Sequence, residues 1–402
     1  MTAGRKGFVS VGDRRKEMPE IGIGVLGYRF MGRAHSNAYQ RMPLFFWPPV
    51  ARPRLVAICG RTEQAVAEAA ARYGYEGYYT DWREMIEDER IQIFDNCASA
   101  DAHAEPSIAA ARAGKHVLCE KPLALSAADA WAMWQAAEEA GVKHMTGFNY
   151  RFVPAVRFTR QLIEQDVLGE IYHFRGRYLQ EGGDDPRRLF SWRYDRAQGG
   201  YGALGDIGVH IIDLARFLVG EIESVGAITA TFVKERPLPG QPEEMHEVTT
   251  DDAFEATIRF ASGAIGTLEA SKVATGRKNQ NTFEINGAKG SIVFDLERLN
   301  ELQVYLRETT IQEVMGFTDV SVTERSHPFY HVWWPHGHII GWEHSFVHEV
   351  EHFIRAVVND EGVAPYGATF EDGYRALVVA EAILESAASG KQVEIGGGEC
   401  SG

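Results

Sequence analysis

A chain of 402 residues is too long for one ordinary hydrophobic core and predicts two domains. With 45% hydrophobic and 24% charged residues it has the composition of a globular protein rather than a disordered or membrane-embedded one. A formal charge of −15, from 41 Lys and Arg against 56 Asp and Glu, argues against nucleic acid and anionic membranes as partners.

Residues 1–20 read as a loosely attached polar lead; Arg14-Arg15 is followed by Lys16-Glu17 and no apolar stretch, so no export signal is expected. The apolar run Ile21–Leu26 predicts a strand, with a turn and a helix over about Gly32–Tyr39 after it. Leu55–Cys59 is a second strand and the Ala-rich Glu63–Tyr73 a helix. Strands at Ile91–Asn96 and His116–Cys119 alternate with helices at about Glu105–Ala113 and Ala127–Ala140. Such alternation predicts βαβ units and a parallel sheet over 21–148. The rhythm changes near Asn149: longer alternating runs at Ile171–Leu179, Val225–Val233, Ala253–Phe260, Ala264–Ala270 and Thr282–Ile285 predict a mostly antiparallel sheet within 149–395. Helices are expected at Asp206–Val219, Trp342–Val358 and Glu371–Ser386. The fold class is therefore α/β, with an N-terminal Rossmann domain and a C-terminal α+β domain built on a large open sheet. Cys59, Cys97 and Cys119 end apolar runs and, with Cys400, show no disulfide spacing, which suits a reducing cytoplasm.

The pattern G-x-G-x-x-G matches literally at Gly22, Gly24 and Gly27, but the preceding segment Asp13–Glu20 is charged and holds Pro19. The apolar strand ends at Leu26, so the phosphate turn is expected at Gly27-x-Arg29-x-x-Gly32, with Phe30 and Met31 inside it. Arg29 stands where glycine usually lets the backbone approach a pyrophosphate, and must point away or reach a phosphate itself. An ordinary tight turn is the plain alternative. After the second strand come Gly60 and Arg61, with no carboxylate for a ribose 2′-hydroxyl; from these residues alone NADP fits slightly better than NAD.

With Ala98-Ser99-Ala100-Asp101-Ala102-His103, Gly114–Pro122 (including Glu120-Lys121-Pro122), Gly147–Pro154, Ser191-Trp192-Arg193 and Gly205–Asp213, the chain resembles the glucose-fructose oxidoreductase and inositol dehydrogenase (Gfo/Idh/MocA) family from Ile21 to Ile395. Ala100-Asp101 and Arg29 depart from its usual pattern. The resemblance implies a nicotinamide-dependent dehydrogenase, an active site between the domains, an open sheet that often mediates homo-oligomers (dimer or tetramer), and a Lys121-Pro122 bond that is cis. Within the family, the block Trp334–His344 with Ser191-Trp192-Arg193 is similar to the levoglucosan dehydrogenase subgroup acting at C3 of glucosides. That similarity implies NAD as cofactor, with NADP as the alternative, and a small sugar or polyol as substrate. Cofactor contacts are then expected from Gly27 to Gly32, from Gly60, Arg61, Ser99, Ala100, His103, Glu120 and Lys121, and from Arg151, Trp192 and Arg193.

Oxidising a secondary alcohol needs a base and a group to steady the alkoxide. Asp206 and His210 are four residues apart and share a helix face. His210 is a general-base candidate. Lys121, past a strand's carboxyl end, is a donor to the reacting oxygen, and Tyr150 a substrate contact; whether Lys121 or His210 takes the proton stays open. The plain alternatives are a surface lysine, a helix N-cap and a half-buried core histidine. From another class, His348-Glu349-Val350-Glu351-His352 matches the zinc-protease pattern H-E-x-x-H, though no metal is expected because Phe346, Val350, Phe353 and Val357 make a core-facing stripe. An inositol dehydrogenase and a non-catalytic nucleotide sensor complete the alternatives.

Overall fold

In the computed structural model, which describes residues 18–308 and 311–396, Ile21, Ile23 and Val25 are screened from water in strand β1 (Glu20–Leu26). Most of the predicted lead and Cys400 lie outside the described residues. Gly22 and Gly24 belong to β1, and they are glycines because of close packing. A Cβ on Gly22 would meet the Arg90 carbonyl oxygen at 1.8 Å, and one on Gly24 would meet Ile91 at 2.8 Å.

β1 sits inside a six-stranded parallel sheet with β2 (Arg52–Cys59), β3 (Gly77–Tyr79), β4 (Ile93–Asn96), β5 (His116–Glu120) and β6 (His144–Gly147), in the order β3-β2-β1-β4-β5-β6. Helices α1 (Phe30–Phe45), α2 (Glu63–Tyr73), α3 (Trp82–Glu87), α4 (Ala104–Arg112) and α5 (Ala127–Glu139) make the crossovers. This is a Rossmann arrangement, in which every strand's carboxyl end opens on one edge.

After α6 (Pro154–Glu164) the chain builds a nine-stranded sheet from β7 (Ile171–Leu179), β8 (Ile222–Ala230), β11 (Ala253–Phe260), β12 (Ile265–Ser271), β13 (Gln280–Gly287), β14 (Gly290–Asp295), β15 (Glu301–Leu306), β16 (Thr318–Ser321) and β17 (Val393–Glu394). The pair β9 (Glu235–Leu238) and β10 (Gln241–Glu247) forms a separate hairpin. The order is β16-β15-β14-β13-β7-β12-β11-β8-β17; only the central β7–β12 pair is parallel. Alternation is clear in β11, where Phe254, Ala256, Ile258 and Phe260 are buried and Glu255, Thr257 and Arg259 face out.

The short turn α7 (Arg196–Gly199) leads into a π-helical turn, Leu204–Gly208, and then α8 (Val209–Leu218). The helix predicted from Asp206 thus begins as a wider turn. α10 (Phe370–Ser389) starts with a capping box between Thr369 and Asp372. α9 (Glu343–Val358) does not cover the large sheet. Its Phe346, Val347, Val350 and Phe353 pack with Tyr39, Met42 and Ile23 of the first domain, so the Rossmann core is completed by residues far along the chain. The amide of Thr146 in β6 also donates to the Ala368 carbonyl at 2.7 Å. No helix among the described residues is long and apolar enough to cross a membrane.

Candidate active site

The carboxyl ends of β1, β4 and β5 are neighbours, and three loops leave from them. After β1, Gly27 takes φ +99° and presses against the end of β4; a Cβ there would meet the Cys97 carbonyl oxygen at 2.7 Å. A Cβ on Gly32 would meet the Gly27 carbonyl oxygen at 1.9 Å. No side chain caps the start of α1, and its first turn holds no acidic residue. Amides at a helix N-terminus with neither cap nor repelling charge suit the pyrophosphate of a dinucleotide. Arg29 is the N-cap and is exposed, while Phe30, 58% exposed, stacks on Trp342 with ring centroids 5.6 Å apart. Gly60 follows β2 beneath the Tyr28 ring, Arg61 is exposed beside it, and Ser99 and Ala100 lie in the loop after β4.

Lys121 directly follows β5, and its bond to Pro122 is cis. Its ammonium donates to the Asp206 carbonyl oxygen at 2.7 Å and lies 3.5 Å from Asp206 Oδ1. Asp206 Oδ2 lies 3.0 Å from Lys272 Nζ. Burial pushes the Asp206 carboxyl up, but Lys272, Lys121 and Arg193 outweigh that and hold it well below the usual carboxylate range. His210 is 5% exposed, and its Nδ1 has no partner within the protein. Burial, then Lys121, push the imidazole well below its ordinary value, so it is neutral near pH 7. Its ring packs on Tyr150 at 4.6 Å, on Phe148 at 5.8 Å and on Tyr178 at 5.9 Å. Tyr150 and Tyr178 share a 2.8 Å hydroxyl contact, and Trp342 Nε1 donates to the Tyr150 hydroxyl at 3.4 Å. Trp342 therefore joins the phosphate turn to the wall around His210. Trp192 is half-buried, with the Arg193 guanidinium 4.4 Å from its ring.

Behind Lys121 lies a buried relay. Glu120 Oε2 accepts from the Lys121 amide at 3.1 Å, and Glu120 Oε1 accepts from His35 Nε2 at 2.9 Å. His35 Nδ1 donates to Asp95 at 2.8 Å, as does the Tyr39 hydroxyl at 2.9 Å. Burial works against a charge on His35, yet Asp95 prevails and raises its pKa well above the ordinary value, so the ring is an imidazolium. Glu120 thus anchors the backbone of Lys121 to α1.

Arg151 and His103, both expected at the cofactor, are buried and have partners within the protein. Arg151 is 2% exposed and grips Asp213 through Nε (2.9 Å) and Nη2 (2.6 Å), with Asp372 Oδ1 3.2 Å from Nη2, so Nε and Nη2 are taken up by carboxylates of the same domain. His103 is 1% exposed and turns Nδ1 to the Pro122 carbonyl (2.8 Å) and Nε2 to that of Ala98 (3.2 Å), tying the β4 and β5 loops together. Lys272, Tyr178, Trp342 and His35 were not expected. Trp342 lies inside the subgroup-like block, and Lys272 follows a strand end as Lys121 does, which were the available signals.

The H-E-x-x-H residues do not fit a zinc site. His348 donates from Nδ1 to the Phe152 carbonyl (2.9 Å) and accepts at Nε2 from Trp333 (2.7 Å). His352 Nε2 donates to the Val363 carbonyl (2.8 Å), and Nδ1 accepts from Arg355 (3.1 Å). Glu349 is fully buried with both oxygens unpartnered, and burial pushes its carboxyl well up, so it is a neutral acid away from water. Dialysis against a zinc chelator is accordingly expected to leave turnover and thermal midpoint unchanged; loss of either would restore the metal reading.

Residues 21–148 match an oxidoreductase family described by its NAD-binding Rossmann fold, and residues 156–293 match the GFO/IDH/MocA C-terminal domain. The chain is 41% identical over 390 residues to a levoglucosan dehydrogenase of Pseudarthrobacter phenanthrenivorans, covering 94% of this chain and 99% of that one. It is 29% identical over 374 residues to a myo-inositol 2-dehydrogenase of Thermotoga maritima, covering 93% and 98%. A solved levoglucosan dehydrogenase in complex with NADH and L-sorbose superposes with a TM-score of 0.90 at 42% identity, over 94% of this chain and 99% of that one. Fold, site and similarity agree that this chain belongs to the Gfo/Idh/MocA family and is an NAD-dependent oxidoreductase of its sugar and polyol dehydrogenase class.

Proposed function

We propose that the chain oxidises a secondary hydroxyl, at C3, of a pyranose, anhydrosugar or glycoside. The observation that carries this reading is the Lys121–Asp206–His210 cluster beside the dinucleotide turn. When bound, NAD supplies the hydride acceptor. His210, neutral near pH 7, accepts the hydroxyl proton. Lys121 donates to the reacting oxygen and steadies the charge that grows on it. Asp206 keeps the Lys121 ammonium in place and accepts from a substrate hydroxyl. Tyr150, Tyr178 and Trp342 present ring faces suited to sugar C–H surfaces. The similarity to levoglucosan dehydrogenase favours an anhydropyranose, and an inositol is the alternative. Exposed Ile228 (67%) and Ile265 (46%) on the outer side of the large sheet support a homo-oligomer formed through that face.

The test is reduced-nicotinamide absorbance with NAD or NADP and a panel of levoglucosan, glucosides, glucose and inositols. Reduction of NAD by a pyranose, with the 3-keto product identified by NMR, is the expected result. Turnover of inositols alone would move the substrate class, and no turnover would favour a nucleotide sensor. Because His210 is active when neutral and its pKa is depressed, kcat/KM should fall in acid only below the ordinary histidine pKa of about 6.5. Lys121→Met removes a charge that lowers that pKa, so whatever activity remains should show its acid limb at higher pH. An acid limb unchanged in the variant would remove His210 from the base role.

A further inference from the structure

Lys272 stands where the second domain's sheet points at the reacting centre. It directly follows β12, which lies inside the nine-stranded sheet between β11 and the parallel β7. Its backbone is fixed on both sides: its amide donates to the Asp252 carbonyl at 2.9 Å, and its carbonyl accepts from Gly183 at 2.8 Å. The side chain is 14% exposed, and Nζ lies 3.0 Å from Asp206 Oδ2. Asp206 Oδ1 faces Lys121 Nζ at 3.5 Å. One carboxylate therefore bridges two ammonium groups, one at a strand end of each domain. Lys121 uses its contacts on Asp206 and retains a donor for the oxygen that reacts. An ammonium carries three donors; Lys272 needs one for Asp206 and retains others beside the same carboxylate, toward the cleft into which Asp206 is 41% exposed.

We propose that Lys272 and Asp206 together read a second hydroxyl, the one on the carbon next to that being oxidised: Lys272 donates a hydrogen bond to its oxygen and Asp206 accepts one from its O–H. The inference rests on the proposed sugar substrate and narrows it to rings with a free hydroxyl vicinal to the reacting carbon. Two ammonium groups on adjacent oxygens of one carboxylate fit two adjacent substrate oxygens, and a ring lacking one of them leaves one ammonium donor unpaired.

The test crosses protein with substrate. Wild type and Lys272→Met are assayed with the preferred sugar from the panel and with its two deoxy analogues, each lacking one hydroxyl adjacent to the oxidised carbon. In wild type, one of the analogues should lose about 10–100-fold in kcat/KM, as expected for a hydrogen bond to a charged group. In Lys272→Met that penalty should shrink to a few-fold, with the other analogue's penalty unchanged. NADH binding, followed by fluorescence, confirms a folded variant, and Lys272→Gln takes its place if Lys272→Met does not fold. Where a variant turns over too slowly, the same cycle is read from sugar dissociation constants for the enzyme–NADH complex. Equal losses on all three sugars would overturn the inference, since Lys272 would then only hold Asp206. Failure of wild type to oxidise any sugar would overturn the proposed function itself, which separates the two failures.

Discussion

Lys121→Ala should lower kcat by about 10³-fold or more while the dissociation constant for NADH stays within a few-fold of wild type. Lys121 is the group that reaches both the Asp206 carbonyl and its carboxylate, and its charge helps keep His210 neutral. Removing it takes away the donor to the developing alkoxide and one of the three cations that keep Asp206 ionised. Its backbone, however, is held by Glu120, which is not altered, so the dinucleotide turn should survive. Pre-steady-state absorbance should show the loss in the first turnover. A first turnover at the wild-type rate would mean that Lys121 serves only binding or release, and would remove the centre of the proposed mechanism.

Asp213→Ala should destabilise the fold by about 3–5 kcal/mol, the range for breaking a buried ion pair from one side. Arg151 would keep Asp372 but lose the carboxylate gripped by Nε and Nη2, inside a core where Asp213 is 1% exposed. Chemical denaturation followed by fluorescence measures the loss. Arg151→Met/Asp213→Leu together should recover part of it, because a matched apolar pair leaves no orphaned charge. The double variant should also bind NADH as wild type does. A selective loss of NADH affinity with stability intact would instead return Arg151 to the cofactor.

How much of this could be read in advance depended on how local each feature is. The turn at Gly27–Gly32 was legible because the apolar run ends at Leu26, whereas Gly22 and Gly24 mimic the fingerprint while serving the packing of β1 on Arg90 and Ile91. Lys121, Asp206 and His210 were legible as residue types beside strand and helix starts, and the structure brings Lys121 onto Asp206 across 85 residues. The partners of Arg151 were not legible, since Asp213 is 62 residues away and nothing in a local pattern says that a carboxylate will be buried against it. Lys272 was hidden for the same reason: its place depends on the parallel pairing of β12 with β7. The short β3 and β6 were missed because Gly77–Tyr79 and His144–Gly147 are too brief for a period of two to show.

The seating of α9 against α1 also bears on how the protein comes into being. The dinucleotide half, read along the chain, looks finished at Gly147, yet Tyr39, Met42 and Ile23 share their core with Phe346, Val347 and Phe353. A growing chain leaving the ribosome therefore carries an apolar flank on α1 that stays uncovered until residue 343 and beyond have been made. During that interval the nascent first half exposes apolar surface of the kind that associates non-specifically, and a gene fragment ending near residue 148 should be less soluble than the full chain.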